Sequence, residues 1–138
     1  MTQGPCNGAS IRRDVPDDDC KGQCCGKRFQ RWTINGVASP MIQGIVPALF
    51  HLKLGKRYRL RLLNASDDLH PVHLHRHSFE LTKFAGVPTG GVMKDVVMLG
   101  GYQEVEVDFT TDNPGLTLFH CHQQLHMDFG FMTLFDYV

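Results

Sequence analysis

Residues 118–135 read LFHCHQQLHMDFGFMTLF, and the cysteine held between two histidines decides how the rest of the chain is to be understood. In a strand, neighbouring side chains face opposite ways. If residues 116–122 are extended, His120 and His122 share one face and Cys121 projects from the other. One tripeptide then serves two metal centres, joined by a short covalent path through the Cys-His backbone along which an electron passes. His126 follows four residues after His122.

A second cluster, HPVHLHRH at residues 70–77, has the same grammar: His73 and His75 share a face if the segment is extended. Seven of the eight histidines fall in these two short stretches, and such clustering asks for a metal. Two imidazoles and one thiolate form the ligand set of a trigonal blue copper centre, with a weak or absent axial ligand tuning its potential. Cys121 supplies the thiolate, His126 lies five residues further on, and His70 reaches the site from the other strand. His73, His75, His120 and His122 remain as four further imidazoles, suited to a second cluster.

The surrounding sequence reads as short strands. In residues 56–64, KRYRLRLLN, Tyr58, Leu60 and Leu62 alternate with Arg57, Arg59 and Arg61, the period of two of a strand with one buried face. Residues 104–109, EVEVDF, repeat the rhythm with Val105, Val107 and Phe109 inward. Further strands are expected at 78–84, 94–99, 115–121 and 131–137, with turns at 85–91, AGVPTGG, and 111–115, TDNPG. In WTINGV the Asn-Gly pair ends a strand at residues 35 and 36. No stretch keeps helical spacing over three turns. Strands punctuated by Gly and Pro at such intervals indicate an all-β two-sheet sandwich or barrel.

The 138 residues fit one domain with a real core. Lys+Arg and Asp+Glu are 14 each, and no basic run marks a nucleic acid or an anionic membrane as partner. No apolar run is long enough to span a bilayer, and the start lacks the apolar core of a signal peptide. Residues 1–30 carry Cys6, Cys20, Cys24 and Cys25 without any period and read as a Cys-rich, loop-like arm or linker. Those thiols could close two disulfides in an oxidising compartment, bind a soft metal, or stay free.

The two histidine motifs closely resemble the C-terminal copper-binding motifs of the multicopper oxidases, the laccase-like enzymes. The resemblance runs from about Trp32 to Val138 and includes WTING at 32–36, LLNAS at 62–66 and KDVV at 94–97. It implies a cupredoxin-like Greek-key β-sandwich or barrel over residues 31–138. It also implies copper as cofactor, a small phenolic or similar molecule as reductant, O2 as oxidant, and a periplasmic or secreted location. By resemblance His70, Cys121 and His126 bind type 1 copper, His73 binds type 2 copper, and His75, His120 and His122 bind the type 3 pair. Phe131 takes the family's axial position, where it cannot coordinate, and strand alternation turns Met132 away. The family's trinuclear cluster draws eight histidines from two domains, and this sequence holds no second pair of His-X-His motifs. A second cupredoxin domain or subunit is therefore expected as partner.

Two other functions compete. A stand-alone blue copper electron carrier needs His70, Cys121 and His126 but not the four spare histidines. A cupin-type metal enzyme matches HLHRHSFE at 73–80 but fails at the second motif, where residues 120–122 offer a thiolate. His51 and His77 read as ordinary surface or core residues, and Phe119, Phe129, Phe131 and Phe135 as core. Asp67, Asp68 and Asp128 could orient imidazoles but are better explained as turn or solvated carboxylates. The triplet at 64–66, NAS, is a glycosylation signal only in a host that glycosylates.

Overall fold

The computed structural model describes residues 7–14, 31–39 and 44–138. Cys6, Cys20, Cys24 and Cys25 lie outside these residues, and so does the choice among disulfide pairing, a soft metal and free thiols.

Two open sheets face each other. The first has six strands in the order β2 (Arg31–Ile34), β1 (Asn7–Asp14), β4 (Arg57–Asn64), β9 (Glu104–Thr110), β6 (Phe79–Phe84), β7 (Val87–Lys94). The second has five, β3 (Ala48–Leu52), β11 (Met132–Tyr137), β10 (Thr117–Cys121), β5 (His70–Leu74), β8 (Val96–Leu99). Among the described residues one short helix, α1 (Gln124–Asp128), interrupts the return from β10 to β11. Neither sheet closes on itself, so the architecture is the cupredoxin-like sandwich and not the barrel.

The alternation at 57–64 acts as expected. Leu60, Leu62 and Asn64 are buried while Arg59 and Arg61 pair across the strand with Asp108, Glu106 and Glu104 of β9. These pairs lie on a partly solvated face and contribute little each. The core forms between the sheets from Trp32, Ile34, Phe50, Leu62, Val72, Leu74, Val105, Val107, Phe119 and Phe135, among others.

Three strands depart from the sequence reading. Residues 85–91 hold a turn only at Ala85 and Gly86, both at positive φ, and Val87 onward is strand β7. Pro88 and the two glycines are tolerated there because β7 is the outermost strand of its sheet. Asn7–Asp14, inside the expected loop-like arm, form β1, inserted between β2 and β4. Ala48–Leu52 form β3, paired in parallel with β11. None of the three has a period that its own sequence announces. No helix among the described residues is long and apolar enough to cross a membrane.

Candidate metal centre

The pairing of β5 with β10 places two sets of histidines on opposite faces of one ladder. Register sets Cys121 opposite Val72 and His120 opposite His73. His70, Val72 and Leu74 turn inward along β5, and His73 turns outward. On β10, Cys121 faces the core with Phe119, while His120 and His122 take the other side. The tripeptide divides its side chains as its spacing requires.

On the inner side, the ligand atoms of His70, Cys121 and His126 all lie within 4.8 Å of one another. Cys121 Sγ is 3.6 Å from Nδ1 of His70 and 3.6 Å from Nδ1 of His126, and the two Nδ1 atoms are 3.0 Å apart. His126 arrives on α1, whose five residues carry the chain from the end of β10 back over the site. Cys121 N–H donates to the carbonyl of Phe131, and Phe131 N–H to that of His126, which closes this loop around the triad. Gly130 makes the return possible. Its φ is +120°, and a Cβ there would stand 2.5 Å from the carbonyl oxygen of Trp32.

Water is excluded from the triad. His70 and Cys121 are 0% exposed and His126 6%. Phe131, also 0% exposed, lays its ring 5.0 Å from that of His70 and offers no donor atom. Met132 occupies the next position, half-buried, across from His120. Burial pushes the Cys121 thiol up to about 11, with the Asp68 carboxylate acting in the same direction and a backbone hydrogen bond at Gln123 opposing both. A bare thiolate is disfavoured here. A soft cation meeting the sulfur and both Nδ1 atoms removes that penalty, and this donor set is the one suited to copper in a trigonal electron-transfer site.

Supporting contacts surround the triad. The Trp32 ring stacks on His126 at 4.2 Å between centroids, 28° from parallel, and its Nε1–H donates to Asp68 Oδ2 at 3.1 Å. Asp68, read from sequence as a plain turn carboxylate, thus orients an imidazole through an indole. Ser66 Oγ meets His70 Nε2 at 3.1 Å. Neither Trp32 nor Ser66 was legible as a site residue. The only signals were their places in the WTING and LLNAS segments.

On the outer side, His73, His75, His120 and His122 gather with ring centroids 4.7 to 5.8 Å apart. Nε2 of His75 and of His120 lie 2.9 Å apart. His73 donates from Nδ1 to the carbonyl of Asp95 at 2.7 Å, and His120 from Nδ1 to that of Cys121 at 2.7 Å, so both present Nε2. The His120 pKa is held below its ordinary value mainly by burial, and that of His75 by burial and by the charges of His73 and His122. Neutral imidazoles are the metal-binding form. His77 stands apart from both groups: it is buried, donates from Nδ1 to the carbonyl of His75, and packs edge-on against Phe109 and Tyr137. His51 is exposed on β3 with Asp136 3.6 Å away.

Comparison with known proteins agrees with this geometry. The multicopper oxidase family profile matches residues 21–138. The chain is 36% identical over 107 residues to the multicopper oxidase MmcO of Mycobacterium tuberculosis, covering 78% of this chain and 20% of that protein. It is 33% identical over 120 residues to the bilirubin oxidase of Albifimbria verrucaria, covering 80% of this chain and 21% of that protein. The crystal structure of a blue copper oxidase from Nitrosomonas europaea superposes over 99% of this chain and 44% of its own, with TM-score 0.78 and 27% identity. The chain thus spans about a fifth of these curated relatives and under half of that solved structure.

Proposed function

Because the chain belongs to the multicopper oxidase family, we propose that residues 31–138, with β1 docked as an added strand, are the copper-bearing cupredoxin domain of a laccase-like oxidase. His70, Cys121 and His126 would hold type 1 copper, and the buried Phe131 ring beside them offers it no donor atom. His73 binds type 2 copper, and His75, His120 and His122 bind type 3 copper. Bound copper supplies reversible one-electron chemistry, which neither imidazole nor thiol offers alone.

The protein's own residues do the rest. The buried triad keeps water from the thiolate, and Phe131 denies an axial donor, which favours the reduced ion and a high potential. With copper bound, electrons from a small phenolic or similar reductant would leave the inner site through Cys121 and its neighbours His120 and His122, whose backbone joins the two faces. A completed copper cluster at the outer face would supply the four-electron reduction of O2 to water, O2 + 4 e⁻ + 4 H⁺ → 2 H2O. Four imidazoles cannot complete the cluster, so a second cupredoxin domain or subunit supplies the remaining His ligands. We also infer a periplasmic or secreted location, which would let the N-terminal cysteines pair.

One observation carries this reading: a single tripeptide delivers a thiolate to a closed two-imidazole site and two imidazoles to a second cluster on the opposite face. A stand-alone electron carrier explains the first site and leaves the second without a purpose. Copper titration of the purified chain, with absorption spectra and a metal count, tests the inner site, and colourless copper binding would overturn it. Oxygen uptake with a phenolic reductant, measured beside the mass in solution, tests the outer one. The monomer is expected to be blue yet nearly inactive, with uptake appearing on association with a partner domain or further copies, and rapid uptake by a demonstrable monomer would refute the shared cluster.

A further inference from the structure

In the triplet Asn64-Ala65-Ser66 the two polar residues are buried and bonded to each other, which removes Asn64 as a glycosylation acceptor and gives the pair another role. Asn64 is 0% exposed and Ser66 4%. Asn64 Nδ2 donates to the carbonyls of Asp68 at 2.7 Å and Gly100 at 2.9 Å. Those two bonds fix which end of the amide is nitrogen, so Oδ1 is an acceptor and can only accept. It receives the backbone N–H of Ser66 at 3.0 Å and the Ser66 hydroxyl at 2.7 Å. The one hydroxyl proton of Ser66 is thereby committed to Asn64. What Ser66 Oγ offers His70 Nε2 at 3.1 Å is a lone pair. Nε2 of His70 therefore carries the hydrogen, and Nδ1 turns its own lone pair toward Cys121 Sγ and His126 Nδ1.

We propose that Ser66, its hydroxyl aimed by Asn64, is a positioning residue that locks His70 in the Nε2–H tautomer and strengthens Nδ1 as a copper donor. This rests on the type 1 reading of the triad. A ligand histidine whose second nitrogen donates to a fixed acceptor has its ring orientation set and its basicity raised, and such partners are typically worth about 10- to 100-fold in metal affinity. The fold holds the relay rigidly. Asn64 N–H donates to the carbonyl of Gln103, Ala65 N–H to that of Ile11, and Tyr102 N–H to that of Ser66, so the triplet is clamped between β1 and the turn before β9. The two nearest acceptors of Asn64 Nδ2 belong to separate segments, 64–70 and 100–103, which makes the tautomer of one ligand depend on the packing of two loops.

The test begins on the copper-free wild-type chain, where nitrogen chemical shifts of the His70 ring distinguish the tautomers. A protonated Nε2 and a lone-pair Nδ1 are expected, and a protonated Nδ1 would overturn the proposal without any variant being made. Ser66→Ala should remove the hydrogen-bonded Nε2 signature, weaken Cu(II) binding by about 10- to 100-fold and raise the reduction potential, because a less basic imidazole stabilises Cu(II) less. Ser66→Thr, which keeps the hydroxyl, should restore all three. A folded Ser66→Ala chain with the wild-type tautomer and unchanged copper affinity would refute the role, as would a folded Ser66→Thr chain that behaves like Ser66→Ala. Wild-type protein that binds copper without a blue band fails the type 1 reading instead, and the copper-free ring shifts then decide the part played by Ser66 separately.

Discussion

The two faces of the β5–β10 pair carry the same kind of side chain and build different objects. Inside, His70, Cys121 and His126 converge to within 4.8 Å, are shut from water, and are each braced by a neighbour: Ser66 on His70, Trp32 on His126, the Phe131 carbonyl on the Cys121 amide. Outside, His120 is buried, His73 and His75 are half-buried and His122 is exposed, with the His73 ring 5.8 Å from those of His120 and His122. The inner site is complete in this chain. On the reading proposed above, the outer group is one half of a cluster whose remaining ligands come from a partner. Closure and the single thiolate together distinguish the inner site, which on the proposed reading tunes an electron, from the outer one, which would admit a substrate and a partner.

The sharpest way to break the comparison is to remove the one thiolate, which stands on the inner face between the two outer-face histidines. Cys121→Ser should abolish the intense blue absorption altogether while leaving the fold in place, because the hydroxyl is near the thiol in size and the site is otherwise intact. Copper bound by the outer histidines should persist, colourless, in a metal count. A variant that stays blue would show that the thiolate lies elsewhere.

Gly130→Ala attacks the inner site through backbone alone. A left-handed φ and a Cβ 2.5 Å from the Trp32 carbonyl oxygen together should cost on the order of 3 kcal/mol in a denaturant titration. The loop bearing His126 should shift with it, so the blue band should weaken while the outer histidines, on and just beyond the ends of β5 and β10, keep their copper. Equal stability of variant and parent would mean the loop relaxes freely around residue 130.

Phe131→Met is milder and acts on the potential. A thioether in place of the ring that packs 5.0 Å from His70 gives copper a weak axial donor and stabilises the oxidised ion, so the reduction potential should fall. An unchanged or higher potential would place the axial position at some other residue.

The division between faces was written in the sequence because it rests on strand alternation, which is local: once residues 116–122 are extended, Cys121 and its flanking imidazoles must part. The ladder at 57–64 was legible for the same reason. What supports the inner site was not. Ser66 becomes a histidine's partner only when the turn at 100–103 orients Asn64, and Trp32 meets His126 only because β2 is brought up against α1. Strand β7 was hidden by Pro88, Gly90 and Gly91, whose turn preference yields at a sheet edge. Strands β1 and β3 take their conformation from β4 and β11, to which they pair in parallel across long stretches of chain.

The outer face should announce itself in the pH dependence of stability. His75 and His120 have folded pKa values below the ordinary 6.5. The unfolded chain therefore binds more protons than the folded one as pH falls below 6.5, and stability, full above that value, is lost as pH drops through the folded pKa values. Denaturant midpoints of the copper-free chain should decline from about pH 6.5 downward, and His75→Asn with His120→Asn should flatten the decline. A curve that remains steep in the double variant would assign the acid sensitivity to other groups.

The smallest expected effect separates stacking from hydrogen bonding at Trp32. The indole does two things at once: it covers His126 at 4.2 Å and it donates to Asp68. Trp32→Phe keeps an aromatic face against the imidazole but removes the donor and part of the indole's volume, so the stability lost should be about 1 kcal/mol for the hydrogen bond and a further share for the smaller ring at this buried position, more if the Asp68 carboxylate stays desolvated. The blue band should keep its position, since the ring that fixes His126 is still present. Trp32→Ala should cost clearly more, through the cavity it leaves and the freedom it returns to the His126 ring, and should broaden or shift the band. If Trp32→Phe alone displaces the band as far as Trp32→Ala does, the Asp68 bond rather than the stack holds His126 in place, and the inner site's rigidity then depends on a carboxylate that solvent can reach.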